Sequence, residues 1–218
     1  MNSLNKTFLA TVCAAAITLG GTTSHAADLD PISTYDWTGF YAGLHLGVAA
    51  LDPNSNAANL IQPKSTGIAG GGHAGYNFQS NNLVFGVEGD FSGLGNSKTK
   101  ACANPAFSCN AGADWTASIR ARAGWAADRL LIFGTGGVAF LGYDGFTRLD
   151  ATGVKFSDSK TFTGWTIGGG AEYAWTDQIL FGAEASYSQY GRKTLNYDSA
   201  YSVKPDLFVA RVRASFKF

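Results

Sequence analysis

The sequence predicts an eight-stranded antiparallel up-and-down β-barrel that crosses an outer membrane on its strands. Three observations predict it. Apolar and polar residues alternate in eight segments of strand length, the links between segments alternate strictly between short and long, and charges within segments avoid the apolar face. Side chains alternate sides along a strand, so such alternation marks a sheet between two unlike environments. Brief periplasmic turns, extended extracellular loops and segments of about ten alternating residues are the pattern of outer-membrane barrels.

The chain opens with Lys6 before an apolar run from Phe8 to Leu19, and Ser24-His25-Ala26 has the small-x-small form of a cleavage site. Residues 1–26 are therefore expected to be a secretory signal peptide, cut between Ala26 and Ala27. Cys13 lies inside the apolar run and follows Val12, and it reads as an incidental member of the signal. Nowhere else does an unbroken apolar stretch reach the roughly 18 residues of a membrane-spanning helix. Cleavage leaves 192 residues, one domain of ordinary size, with 15 bases against 16 acids once Lys6 is gone. That balance gives no reason to expect a nucleic-acid partner. Residues 27–38, with Asp28, Asp30 and Pro31, read as a short periplasmic extension, and 39–218 as the barrel.

The candidate strands are about 39–48, 68–79, 83–93, 114–126, 130–141, 161–175, 179–191 and 207–218. Three connections are tight, around Ser80-Asn81-Asn82, Ala127-Asp128-Arg129 and Thr176-Asp177-Gln178, all turn-forming types. The other four, 49–67, 94–113, 142–160 and 192–206, are long. Eight strands put both termini on the short-turn side, in the periplasm.

With each strand phased on its apolar residues alone, Leu83, Phe85, Val87 and Phe91 point out and Glu88 and Asp90 point in. Trp115, Ala117, Ile119 and Trp125 oppose Asp114, Arg120 and Arg122; Trp165, Ile167, Tyr173 and Trp175 oppose Glu172; Ile179, Phe181, Ala183 and Tyr187 oppose Glu184. In the last strand Phe208, Ala210, Val212, Ala214, Phe216 and Phe218 oppose Arg211, Arg213, Ser215 and Lys217. All ten charges thus fall inside. Arg or Lys facing the bilayer midplane costs about 2–4 kcal/mol in such barrels, which gives the exclusion a physical cause. Trp37, Phe40, Trp115, Trp125, Trp165 and Trp175 lie near strand ends, where amphipathic rings suit the membrane interface, although ordinary strand aromatics would read the same way.

An eight-stranded barrel is only just wide enough for its own side chains. Adjacent strands set Glu88 and Asp90 against Arg120 and Arg122, and Glu184 against Arg211 and Arg213, so a lumen filled by paired charges is expected. The alternative is a charged constriction selecting small ions.

Chemistry has fewer footholds. His45 and His73, the histidines left after cleavage, fall on inward faces with no Ser and Asp partner legible in sequence, so they read as lumen packing; no catalytic residue and no metal site is expected. Gly134, Gly136 and Gly137 precede no helix and suit close strand packing better than a phosphate loop. Cys102 and Cys109 share the second long loop in an oxidising compartment, and a disulfide is favoured over two free thiols. The long loops hold nine bases against six acids, and Lys98, Lys100, Arg192 and Lys193 are candidates for lipopolysaccharide phosphates, a solvated surface being the plain alternative.

Asp36-Trp37-Thr38-Gly39-Phe40-Tyr41-Ala42-Gly43 resembles the opening strand of the small outer-membrane barrels common in alphaproteobacteria. The stretch from Arg120 to Trp125 leading into Leu130 to Phe140 is similar to that family's central hairpin, and Gly164 to Ala174 to its sixth strand. The likeness covers the mature chain in its strands and fades in its loops; Ala214-Ser215-Phe216 departs from the usual ending. It implies a porin-like surface protein or surface antigen. It further implies that Phe218 is the mark read by the outer-membrane assembly machinery. Haem acquisition among relatives would make Tyr143, Tyr197 and Tyr201 loop candidates for iron. The combined expectation is a structural, surface-exposed envelope component with a filled lumen, lipid and lipopolysaccharide as its surroundings and no cofactor. A small-solute porin and a loop-based receptor or adhesin for haem or a host ligand are the alternatives.

Overall fold

The computed structural model describes residues 35–52, 65–95, 98–101, 107–149, 155–196 and 200–218. The expected signal segment with Ala26 and Ala27, Cys102 and Tyr197 lie outside the described residues. Eleven strands follow in order: β1 (Gly39–Asp52), β2 (Ser65–Ser80), β3 (Leu83–Gly95), β4 (Lys98–Ala101), β5 (Phe107–Ala127), β6 (Leu130–Leu149), β7 (Lys155–Ala174), β8 (Ile179–Tyr190), β9 (Lys193–Asn196), β10 (Ala200–Val203) and β11 (Asp206–Lys217). Eight of them, all but β4, β9 and β10, form a closed antiparallel ring. β1 pairs with both β2 and β11, and β3 with both β2 and β5. The eight-stranded barrel expected from the alternation is therefore the fold.

The short turns form as their residues predict. Asn81 and Asp128 take the left-handed conformation at φ of 53° and 50°, which Asn and Asp tolerate better than most residues. At the third turn the Thr176 hydroxyl accepts the amides of Gln178 and Ile179 at 3.3 and 2.9 Å.

The long connections depart from expectation, because strand structure extends into every one of them. β5 and β6 stay paired from Ala127↔Leu130 up to Phe107↔Leu149, and β6 and β7 up to Arg148↔Lys155, whereas β7 meets β8 only from Gly164↔Tyr190 onward. One side of the barrel thus rises as a three-stranded wall above the rest. β4 adds to its edge, and β9 and β10 form a hairpin in the last connection. The reason is environmental. Above the lipid neither face must be apolar, so these extensions lack the alternation by which strands are recognised.

The outward face is apolar where the bilayer requires it: Leu44, Leu46, Phe85, Val87, Ile119, Ile132, Ile167, Phe181 and Val212 are all exposed. In β1 and β11 the outward row ends in carboxylates, since Asp52 lies directly opposite Asp206. Below Asp206, the outward row from Phe208 to Phe216 spans nine residues, close to the roughly 9–11 that cross a hydrocarbon core. Asp114, expected inside, is exposed instead. A register shift between Ala113 and Trp115 makes it the extra residue of a β-bulge, which turns its side chain off the inward row.

Inside, the short-turn end is sealed by residues 35–38, which lead into β1. Trp37, expected at the membrane interface, is only 1% exposed and packs with Tyr35, Val84, Leu131, Phe133 and Leu180, whereas Trp125, Trp165 and Trp175 do face outward. Backbone and side-chain bonds explain the difference. Tyr35 N donates to Asp128 Oδ1 at 3.0 Å, Trp37 N to Gln79 Oε1 at 2.7 Å and Trp37 Nε1 to Asp128 O at 3.0 Å. The Tyr35 hydroxyl donates to Asp177 O at 3.0 Å, and burial, then the Asp177 charge, push its pKa up to about 12, so it keeps the proton it donates. Residues 35–38 therefore tie all three short turns together. At the other end Leu141, Tyr143, Phe162, Tyr190, Leu207 and Val209 fill the mouth, joined by Val203 of β10, while Tyr190 N donates to Pro205 O at 3.0 Å.

Trp37→Ala empties a fully buried site and is expected to destabilise the barrel by about 3–5 kcal/mol. The urea midpoint in detergent measures it; a midpoint equal to that of the parent would remove Trp37 from the seal.

Candidate functional site in the barrel lumen

Between these two apolar seals lies a belt of charge. Alternation along the strands aims Glu88 and Asp90 (β3), Arg120 and Arg122 (β5), Glu172 (β7), Glu184 (β8), and Arg211 and Arg213 (β11) into the lumen. All but the half-buried Asp90 are buried. Close approach of the walls makes room for them. A Cβ at Gly75 would meet the Tyr41 hydroxyl at 2.5 Å, and one at Gly182 would meet Glu172 Cγ at 2.6 Å.

The expected neighbour pairs are present. Arg120 Nη2 lies 2.6 Å from Glu88 Oε1 and 2.9 Å from Asp90 Oδ1, and Glu184 Oε2 lies 2.8 Å from Arg213 Nη1 and 3.3 Å from Arg211 Nη2. Arg122 and Glu88 stand farther apart, at 3.7 Å. What neighbour reasoning missed is contact across the lumen. Arg120 also bonds Glu184, Arg213 bonds Glu88, Arg122 bonds Glu172, and Arg211 reaches Asp90 at 3.1 Å. Arg213 Nε lies 2.8 Å from Glu172 Oε1, a charge contact outside hydrogen-bond alignment. Glu172, which has no basic partner on an adjacent strand, thus joins the belt from across the barrel. Four carboxylates balance four guanidiniums in a single cluster.

Lys217, placed in the same network by its phase, is not in it. It is half-buried at the short-turn end, bonded to the Asp36 carbonyl with its ammonium 4.7 Å from the Tyr35 ring. Its position as last residue of the strand carries it past the belt.

Polar groups surround the belt. The Tyr41 hydroxyl donates to Glu88 Oε2 at 2.8 Å, Ser118 donates to Asp90 at 2.8 Å, and the Arg122 guanidinium lies 3.7 Å from the Phe133 ring centre. His45 and His73, without partners legible in sequence, each hold a serine: Ser92 Oγ is 2.7 Å from His45 Nε2 and Ser215 Oγ is 2.8 Å from His73 Nε2. The two Nδ1 atoms face each other at 3.3 Å. Ser92 and Ser215 were detectable only as inward-phase hydroxyls. Beside this cluster a cavity of about 20 Å³, lined by Asp90, Ser92, Thr116, Ser118, Thr166 and Arg211 among others, has room for one water molecule. Among the described residues no group of three or more His, Cys, Asp and Glu is arranged to hold a metal ion.

The remaining candidates lie apart from the lumen. Lys98 and Lys100 fall on β4, and Cys109 on β5 opposite Lys100. Arg192 and Lys193 are exposed beside β7, where Lys193 Nζ donates to Thr161 O and Lys160 Nζ to Thr194 O, each at 2.7 Å. Tyr143, considered for iron as a loop residue, is buried in the mouth edge-on to Phe162, and Tyr201 falls on β10. Phe218 is exposed next to Phe216, its amide bonded to Phe40 O at 2.9 Å.

Arg211→Ala leaves the belt's four carboxylates facing three guanidiniums, one negative charge uncompensated, and is expected to destabilise the barrel by about 3–5 kcal/mol. Urea unfolding of the folded variant in detergent tests this, and an unchanged midpoint would mean that the belt does not hold the barrel together.

Residues 13–216 match the family model described as outer membrane protein beta-barrel domain. The chain is similar to the 31 kDa outer-membrane immunogenic protein of Brucella melitensis biotype 1, with 30% identity over 207 residues covering 86% of each chain. It is also similar to the 25 kDa outer-membrane immunogenic protein of Brucella abortus biovar 1, with 32% identity over 197 residues covering 88% of this chain and 84% of that one. Among solved structures, the outer membrane protein OprG from Pseudomonas aeruginosa superimposes with a TM-score of 0.53 at 14% identity, over 84% of this chain and 97% of that one, a likeness of fold. With a closed barrel, an apolar outer belt and this match along nearly its whole length, the chain belongs to the outer-membrane β-barrel protein family.

Proposed function

We propose that the protein is a closed structural barrel of the outer membrane that presents its tall strands and loops at the cell surface. The observation that carries this reading is the lumen: eight mutually paired charges sit between two apolar seals, and the cavity beside them takes one water molecule. A side-chain-filled interior is what a barrel of eight strands has room for. The short turns and residues 35–38 would face the periplasm and β4, β9, β10 and the β5–β6–β7 wall the exterior, following the pattern of brief periplasmic turns. The immunogenic Brucella relatives support surface display. Exposed Phe218 supports its reading as the mark recognised by the assembly machinery. The cavity at Ser92, which bonds His45, takes only one water molecule, which supports a role without catalysis.

Single-channel recording of protein purified from outer membranes tests the closed state. The parent is expected to be silent in a planar bilayer and Arg211→Ala/Arg213→Ala to show current steps. Reproducible steps in the parent would instead favour the small-solute porin.

A second reading concerns the basic rim. The reciprocal bonds of Lys160 and Lys193 to backbone carbonyls hold two ammonium groups at the edge of β7, with Arg192 beside them. This supports contact with lipopolysaccharide phosphates. Neutralising Lys98, Lys100, Arg192 and Lys193 to Gln together is expected to lower lipopolysaccharide co-purification about tenfold, surface ion pairs contributing roughly 0.2–1 kcal/mol each. Unaltered co-purification would reduce the rim to a solvated surface.

A further inference from the structure

The belt balances without its histidines. Glu88, Asp90, Glu172 and Glu184 oppose Arg120, Arg122, Arg211 and Arg213, which leaves two imidazoles with no net charge to offset. Their contacts assign their protons. A guanidinium only donates, so His45 Nε2, 3.4 Å from Arg211 Nη1, must present its lone pair, and the Ser92 hydroxyl 2.7 Å away donates to the same atom. The His45 proton then sits on Nδ1 and is donated to His73 Nδ1, and His73 donates from Nε2 to Ser215 Oγ. Each ring carries one proton and every ring nitrogen is occupied.

A third proton meets a cation, although the Ser92 hydroxyl could rotate to accept it. On His45 Nε2 it would face the Arg211 guanidinium, and on His73 Nδ1 it would force the His45 proton across to Nε2, toward the same guanidinium. The charged and titratable groups around the pair are Tyr41 on β1, Glu88 and Asp90 on β3, Arg120 and Arg122 on β5, Glu172 on β7, Glu184 on β8, and Arg211 and Arg213 on β11; β6 contributes the neutral Thr135. The acids among them are already engaged by arginines. The hydrogen-bonded run Ser92–His45–His73–Ser215 also joins β3, β1, β2 and β11. It therefore crosses the seam where the first and last strands close the ring, with His45 directly opposite Arg213.

We infer that the His45–His73 pair is an acid-sensitive latch on the lumen, shut while both imidazoles are neutral and released when either gains a proton and repels Arg211 from the β1–β11 seam. Imidazole takes up its proton in water as pH falls through about 6.5. A released, hydrated pair accommodates that proton and the latched pair does not. Linkage then makes the shut form dominant at neutral pH and drives opening as pH falls.

The inference rests on the filled-lumen reading, and one experiment separates the two. Protein purified from outer membranes is recorded in planar bilayers from about pH 7.5 down to about pH 3.5, a range that brackets the ordinary imidazole value. His45→Gln/His73→Gln, which keeps polar groups in place of the rings, is recorded alongside. The parent is expected to open reversibly in acid, its opening frequency rising by up to about tenfold per pH unit for each linked proton. The double variant is expected to give one frequency throughout. Should the double variant fail the mobility shift of a folded barrel on an unheated gel, His73→Gln takes its place, with at most about a tenfold rise per pH unit expected from the one remaining proton. Silence in the parent at both neutral and acid pH would overturn the latch alone, as would a double variant that opens with the parental pH dependence. Current steps in the parent at neutral pH would overturn the filled lumen and the latch with it.

Discussion

Low dielectric on both sides of a thin wall is the constraint on which this structure depends. Lipid outside forbids charge on the outer row, so every charged side chain in the membrane-crossing part of a strand must point inward. The interior is hardly more forgiving, because an isolated buried charge loses its hydration without return. Mutual neutralisation is the solution present: each guanidinium of the belt touches at least two carboxylates, and Glu184 and Glu88 each bridge bases on different strands. Paired buried ions contribute little net stability, and their force lies in how severely the loss of one member is felt. The belt therefore acts on uniqueness of register: a one-residue slip of any strand would send its charges into lipid.

This constraint explains which parts of the molecule were legible in sequence. Inside the bilayer, alternation is enforced by solvent on each residue separately, so the strand phases, the inward charges and the three short turns could be read without knowing the tertiary structure. Glu88 against Arg120 was readable as a neighbour relation, since the third and fourth barrel strands are consecutive in the ring and pair directly. Glu172 with Arg122 and Arg213 was not readable. Those partners meet across the interior, and their distance depends on barrel radius and tilt, which no local pattern encodes.

Other departures have equally local causes. Asp114 broke phase at a bulge, a single inserted residue that hydropathy does not mark. Trp37 looked like an interfacial ring because it stands next to a strand end, yet Gln79 near the end of β2 and Asp128 in the second turn bond its backbone and its indole and hold it inside the barrel. The upper halves of β6 and β7 looked like loop because, once above lipid, they have no reason to alternate. His45 and His73 were correctly phased, but the hydroxyls that orient them come from β3 and β11, far away in sequence.

The segment that ties the short turns has a kinetic meaning. The bond from Tyr35 to Asp177 closes a loop of 142 residues, and that from Lys217 to Asp36 one of 181. Contacts of such separation carry the largest chain-closure entropy and form only after the intervening hairpins have assembled. Residues 35–38 must wait for the last strand. A partly built barrel accordingly lacks not only its final strand but also its floor, so incomplete folding intermediates should stay wet and open inside until the moment the ring shuts.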